Sequence, residues 1–204
     1  MKKTRTDKKT TNKRGQVNKL YQKVKQEYDQ KVAQGEKNPY VWVRQAELAT
    51  LIIEGVKKKW PQYKFAKKSD SFAGGSSVDI YLQDGWKKGV TKEQIEEMDK
   101  FVKTYSGAGF DGMVDYKYYK DVWLMPDGSV SLADNNGGGE CTGGYVPGYD
   151  YEKPVEQAIK ISSGSWVSFH KDPKYGSKDY EPWWEQKKKE YAEQEKLKQQ
   201  EGAA

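Results

Sequence analysis

Asp79, Asp111, Asp115 and Lys117 are the residues whose types come closest to catalysis. Asp115-Tyr116-Lys117 has the acid-x-Lys spacing of some metal-dependent nucleases, where acids hold a divalent cation and the lysine positions water. The competing reading makes Asp111-Gly112 a turn and Asp115 a cap or surface charge. Metal chemistry needs the carboxylates to converge, and spacing alone does not bring them together. The expectation is therefore a protein that is not an enzyme, with no catalytic residue and no metal site. A metal-dependent nuclease is the alternative.

Other chemistries are narrower still. With one Cys and one His in the chain, a nucleophilic pair would have to join Cys141 to His170, and a Cys/His zinc cluster is impossible. A single cysteine forms no internal disulfide, which fits a reducing compartment. Asp134-Asn135-Asn136-Gly137-Gly138-Gly139-Glu140 is rich in oxygen ligands but lacks the spacing of a calcium loop, and it reads as loop. Gly74-Gly75-Ser76-Ser77 could cradle a phosphate, yet it leads into a strand rather than a helix N-terminus, so a turn is the better reading. No cofactor is expected.

Binding residues are easier to find. Residues 1–38 hold 12 of the chain's 36 Lys and Arg but only 4 of its 30 Asp and Glu. The net charge of +6 therefore resides in an N-terminal arm, on a body close to neutral. Lys8, Lys9, Lys13, Arg14, Lys19, Lys23 and Lys25 are the candidate contacts to a DNA or RNA phosphate backbone, which would give salt-sensitive, sequence-independent affinity. A solubilising tail is the bland alternative. Asp79 and Tyr81, on the outer face of a strand, and Trp183, Trp184 and Tyr191, near the C-terminus, are the candidate contacts to a partner. The competing reading buries the tryptophans against the core.

The elements that must position these residues follow from periodicity. Val17, Leu20, Tyr21, Val24, Tyr28 and Val32 recur at helical spacing up to Gly35. Asn38-Pro39 predicts the start of a main core helix that carries Val41, Ala49, Ile52 and Val56 and stops at Pro61. A short strand over residues 63–68 and a bend at Gly74-Gly75 come next. The strand after the bend puts Val78, Ile80 and Leu82 on one face, with Asp79 and Tyr81 on the other. Asp84-Gly85 signals a turn. Thr91-Lys92-Glu93-Gln94 is a capping box, opening a helix to about Tyr105, where Gly107 and Gly109 break the pattern. Pro126-Asp127-Gly128 predicts a hairpin, residues 165–170 a further strand, and Pro182 the start of a charged helix. The order helix-strand-strand-helix-strand-strand implies an α+β fold: an antiparallel sheet of about four strands with helices on one face, plus N- and C-terminal helical extensions. Three regions are expected: a basic tail and helix over 1–38, the core over 39–170, and a charged helix over 171–204.

No apolar run approaches membrane-spanning length and no signal peptide opens the chain, so a soluble protein that is not secreted is expected.

One ordered set of motifs is more specific than its parts. Ala46-Glu47-Leu48-Ala49, Trp60-Pro61, Lys64-Phe65, the block from Ser71 to Ile80, Asp84-Gly85, and Phe110-Asp111-Gly112-Met113 with Asp115 together resemble a large polyvalent protein-associated domain, the twenty-ninth of its series. The likeness covers roughly residues 46–132. Where that family commonly reads Asp-Gly-Pro-Thr, Asp84-Gly85 is here followed by Trp86-Lys87-Lys88-Gly89-Val90-Thr91, a small insertion before the helix cap. The resemblance implies an origin in a phage, plasmid or integrative element. It also implies a counter-defence role in the cytoplasm of a bacterial host. On that reading the protein resembles an anti-CRISPR-like inhibitor that binds a host defence nucleoprotein, with a Cas effector suspected. A DNA-accompanying structural protein without inhibitory activity is a further alternative.

Overall fold

The computed structural model describes residues 17–37, 39–73, 75–111, 116–136 and 155–201. Five helices and eight strands occur among them: α1 Lys19–Ala33, β1 Val41–Trp42, α2 Gln45–Lys59, β2 Phe65–Phe72, β3 Gly75–Leu82, α3 Gly85–Lys88, α4 Lys92–Lys103, β4 Ala108–Asp111, β5 Tyr116–Leu124, β6 Val130–Asn136, β7 Ile159–Ser162, β8 Ser165–His170 and α5 Tyr180–Glu201. The fold is α+β, as expected, but its strands form two sheets, and neither is purely antiparallel. In the first, β5 is the hub: it pairs antiparallel with β4, β6 and β7, and β7 pairs in parallel with β1. The second runs β2-β3-β8, with an antiparallel hairpin followed by a parallel pair.

Local signals account for the hairpins. The β2–β3 hairpin closes on the pair Phe72–Gly75, at the expected bend. In the β5–β6 turn the Asp127 carboxylate accepts from the Ser129 N–H at 2.9 Å, and Gly128 takes φ 85°, a conformation that suits glycine. The box at Thr91 forms as the sequence predicts. Gln94 N–H donates to Thr91 Oγ1 at 3.3 Å, and Thr91 N–H donates to Gln94 Oε1 at 3.1 Å.

Two expectations are corrected. Asn38 lies outside the described residues, and Pro39 does not open a helix: α2 begins only at Gln45. Val41 and Val43 are both buried, and the Val43 N–H donates to the Ser162 carbonyl at 2.8 Å, so β-branched residues and a distant strand pull this stretch into the first sheet. Asp84-Gly85 is not a simple turn. Asp84 is buried and accepts from the Lys64 N–H at 2.7 Å, while Gly85 opens α3, formed by the small insertion. Gly107 and Gly109 do end the helical pattern, but the chain then enters β4, and the Gly107 N–H donates to the Ser165 carbonyl at 3.0 Å.

One part of the core lies between α2 and the inner face of the second sheet, and Val41, Val122, Leu124, Ile159 and Ile161 of the first sheet belong to the same cluster. Val78, Ile80 and Leu82 are all fully buried, as their alternation predicts. Leu48, Ile52 and Val56 of α2 meet them, and Met98 and Val102 of α4 extend the same cluster. Each such side chain contributes about 1.5–3 kcal/mol by its burial. α1 belongs to this core as well. Tyr21, Val24 and Tyr28 are buried, and the Tyr21 hydroxyl donates to the Gln157 carbonyl at 2.5 Å. Asn18 caps α1 through its side chain, which accepts from the Leu20 N–H at 2.8 Å, and its own N–H donates to the Pro126 carbonyl.

Candidate functional site

Helix α2 covers one face of the second sheet and leaves the other open. The pleat puts Asp79 and Tyr81 on that open face, and the parallel pairing of β3 with β8 sets His170 directly beside Tyr81. Their rings stack, with centroids 4.5 Å apart and planes 13° from parallel. His170 Nε2 also lies 3.0 Å from Asp79 Oδ1. The imidazole is thus held on one side by a carboxylate and on the other by a phenol. Burial, then the Asp79 carboxylate, push the Tyr81 hydroxyl above its ordinary value, so it stays a neutral donor.

Beyond His170 the chain passes Pro173 and enters α5, and this stretch adds a run of aromatic rings. Tyr175 meets Tyr180 edge-on at 5.0 Å, Tyr180 lies 5.4 Å from Trp183, and Trp183 lies 6.0 Å from Trp184. Tyr81, His170, Tyr180 and Trp183 line a groove of about 580 Å³ whose far wall is Ile95, Glu96 and Asp99 of α4. Asp172 and Lys171 complete the charged lining. Apolar ring faces backed by carboxylates suit a flat apolar group or a cation that can sit over a ring.

The expected partner contacts divide accordingly. Tyr81 and Trp183 line this groove, and Asp79 supports it through His170. Trp184 is partly exposed and Tyr191 is 56% exposed, further along α5. Trp183 is half-buried against Tyr180, and Trp184 is exposed. Composition gave no hint of Tyr175 and Tyr180. The signal was their place between the lone histidine and the Trp pair, where an aromatic recurs every three to five residues.

The basic arm divides too. Lys8, Lys9, Lys13 and Arg14 lie outside the described residues. Lys19 is exposed at the start of α1 and lines a cavity with Lys58 and Lys59. Lys23 is ion-paired with Glu47, and Lys25 with Asp29 at 2.6 Å, so these two already hold carboxylates. For the nuclease alternative, Asp79 sits in the second sheet on His170, while Asp111 in β4 and Lys117 in β5 belong to the first sheet. Asp115 lies outside the described residues, as do Cys141 and Glu140. Among the described residues no group of three or more His, Cys, Asp or Glu is arranged to hold a metal ion.

A family profile described as large polyvalent protein associated domain 29 matches residues 43–144, half of the chain. The match runs from the residue before the α2 cap through β6. It leaves α1, β1, β7, β8 and α5 outside, so His170 and Trp183 lie beyond it while Asp79 and Tyr81 lie within. No curated protein and no solved structure matches the chain. Domains of this series are found in polyvalent proteins of phages and mobile elements. The chain belongs to the large polyvalent protein associated domain 29 family.

Proposed function

We propose that this protein works by binding rather than by catalysis, as a counter-defence factor of a phage or related mobile element in the host cytoplasm. Its target would be a host defence nucleoprotein, with a CRISPR-Cas effector the first to test. One observation carries the binding part: Tyr81, His170, Tyr180 and Trp183 converge on one open groove beside the carboxylates of Glu96 and Asp99. Such a groove fits an exposed aromatic or basic side chain of a protein partner, since aromatic anchors in pockets dominate interface energies. The carboxylates disfavour a phosphate there, so any nucleic acid of the target would be met elsewhere. Among the described residues no helix is long and apolar enough to cross a membrane.

The test is a pull-down from the bacterial host with the intact protein and with Tyr81→Ala combined with Trp183→Ala. The expected result is a Cas effector or another defence complex retained by the intact protein and lost by the variant. Recovery of no defence component overturns the counter-defence reading, and equal recovery by both proteins overturns the groove. The nuclease alternative has its own test: Asp111→Ala with Asp115→Ala leaves the biological effect unchanged if binding is the mechanism.

A further inference from the structure

A second groove, of about 550 Å³, opens at the other side of the segment that leads into α5. Lys57 at the end of α2, Lys64 before β2, and Lys178 before α5 converge on it from three separate stretches of chain. These lysines differ from their neighbours. Lys58 pairs with Asp127, Lys59 with Glu97 at 2.7 Å and Lys88 with Asp84 at 2.8 Å. Among the described residues Lys57, Lys64 and Lys178 form no ion pair.

The floor is equally unfinished. Gln83 lines the groove at 6% exposure, and its Nε2 has no acceptor. Ser177 lines it too, and its Oγ has no partner. A buried donor without an acceptor is costly, so such groups persist where something else supplies the acceptor. The one carboxylate in the lining, Asp179, is already committed: Lys87 Nζ donates to its Oδ1 at 2.8 Å. That bond, with the fields of Lys64 and Lys178 behind it, holds the Asp179 carboxyl below its ordinary value. The groove also lies at the N-terminal end of α5, a helix of 22 residues whose dipole adds positive potential there.

We infer that this groove is an anion site for a phosphoryl group, held by Lys57, Lys64 and Lys178 with Gln83 Nε2 and Ser177 Oγ as the buried donors. The phosphoryl group is either a free phosphate or nucleotide, or one unit of a nucleic-acid backbone. Both present oxygen acceptors that three cations and two neutral donors satisfy. The site stands apart from the aromatic groove and does not depend on the partner bound there.

The experiment is an NMR titration of the full chain, reading the Gln83 side-chain amide, assigned by its loss in Gln83→Met. Inorganic phosphate is added in one arm and a short single-stranded oligonucleotide in the other, against sodium chloride at matched ionic strength. The expected result is a saturable shift of the Gln83 amide with phosphate or oligonucleotide and none with chloride. The triple variant Lys57→Gln, Lys64→Gln, Lys178→Gln should weaken that response by about tenfold or more, since it removes all three cations of the site. Saturation by the oligonucleotide at much lower concentration identifies a nucleic-acid backbone, and an equal or stronger response to phosphate identifies a small phosphate. No shift in either arm, the same shift with chloride, or an unchanged response in the triple variant overturns the site. The three lysines are surface residues, so the variant keeps its fold, and the backbone amides of β3 report this in the same spectra.

Discussion

Gly85 is a residue whose missing side chain has a definite cause. A Cβ placed there would lie 2.3 Å from Leu82 Cδ2 and 3.0 Å from Val90 Cγ1. Leu82 is fully buried and belongs to the core stripe of β3, so it has no room to withdraw. Gly89, four residues on, is glycine for another reason: it takes φ 64° with open space around it. Gly85→Ala is therefore expected to destabilise the fold by about 1–3 kcal/mol through overpacking. Urea unfolding monitored by tryptophan fluorescence checks this, and a stability equal to wild type would show that α3 can shift freely on the sheet. The sequence marks Asp84-Gly85 as a turn for the right residues and the wrong reason. What fixes Gly85 is the approach of a side chain three residues earlier, and that approach exists only once α3 folds back over β3.

At the scale of elements, what could be read and what could not divides along one physical line. Hairpins, caps and amphipathic stripes are local, so the β2–β3 and β5–β6 hairpins, the box at Thr91 and the inward set Val78, Ile80 and Leu82 were legible. Parallel pairs have no turn to announce them. β1 meets β7, and β3 meets β8, across more than eighty residues of chain, so the two-sheet arrangement and the stacking of His170 on Tyr81 were hidden. The same holds for the junction of α3 with α5. Asp179, at the start of α5, is bound by Lys87 of α3, and this one bond steadies the segment that walls both grooves. Its pH dependence has a definite sign. The Asp179 carboxyl is held below its ordinary 3.8, first by the Lys87 hydrogen bond. Its contribution is therefore fully present above that value and is lost as pH falls through the lower folded value. Lys87→Met should speed amide exchange over residues 177–185 at neutral pH while leaving β2 and β3 protected. It should also flatten the acid limb of stability below pH 4. Hydrogen exchange and acid unfolding of both proteins test this, and exchange unchanged by the substitution would mean that aromatic packing alone seats α5.

At the scale of the whole molecule, the charge reading needs the fold to be interpreted. Composition places the positive excess in residues 1–38 and leaves the body near neutral, yet near neutrality conceals a local cluster at Lys57, Lys64 and Lys178. The arm itself is not one unit. Residues from Lys19 onward are a core helix with Tyr21 and Val24 buried, and two of its lysines hold Glu47 and Asp29. Outside α1 the cationic excess of the arm resides in residues 1–16, with seven Lys and Arg against one Asp. Two truncations separate these parts. Removal of residues 1–16 should leave thermal unfolding unchanged but weaken DNA and RNA binding, and it should flatten the salt dependence by about 0.7–0.9 in the log–log slope for each phosphate that the arm had neutralised. Removal of residues 1–25 should in addition destabilise the fold by several kcal/mol, because it strips two buried side chains at about 2–5 kcal/mol each and the Asn18 cap at about 1 kcal/mol. Binding at two salt concentrations and a melting curve for the three proteins decide the matter. Equal affinity in the intact and shortest-truncated proteins, flat in salt, would remove the arm from any account of nucleic-acid binding. Residual salt-sensitive affinity after removal of residues 1–16, abolished by the triple lysine substitution, would place the remaining phosphate site on the body at the foot of α5.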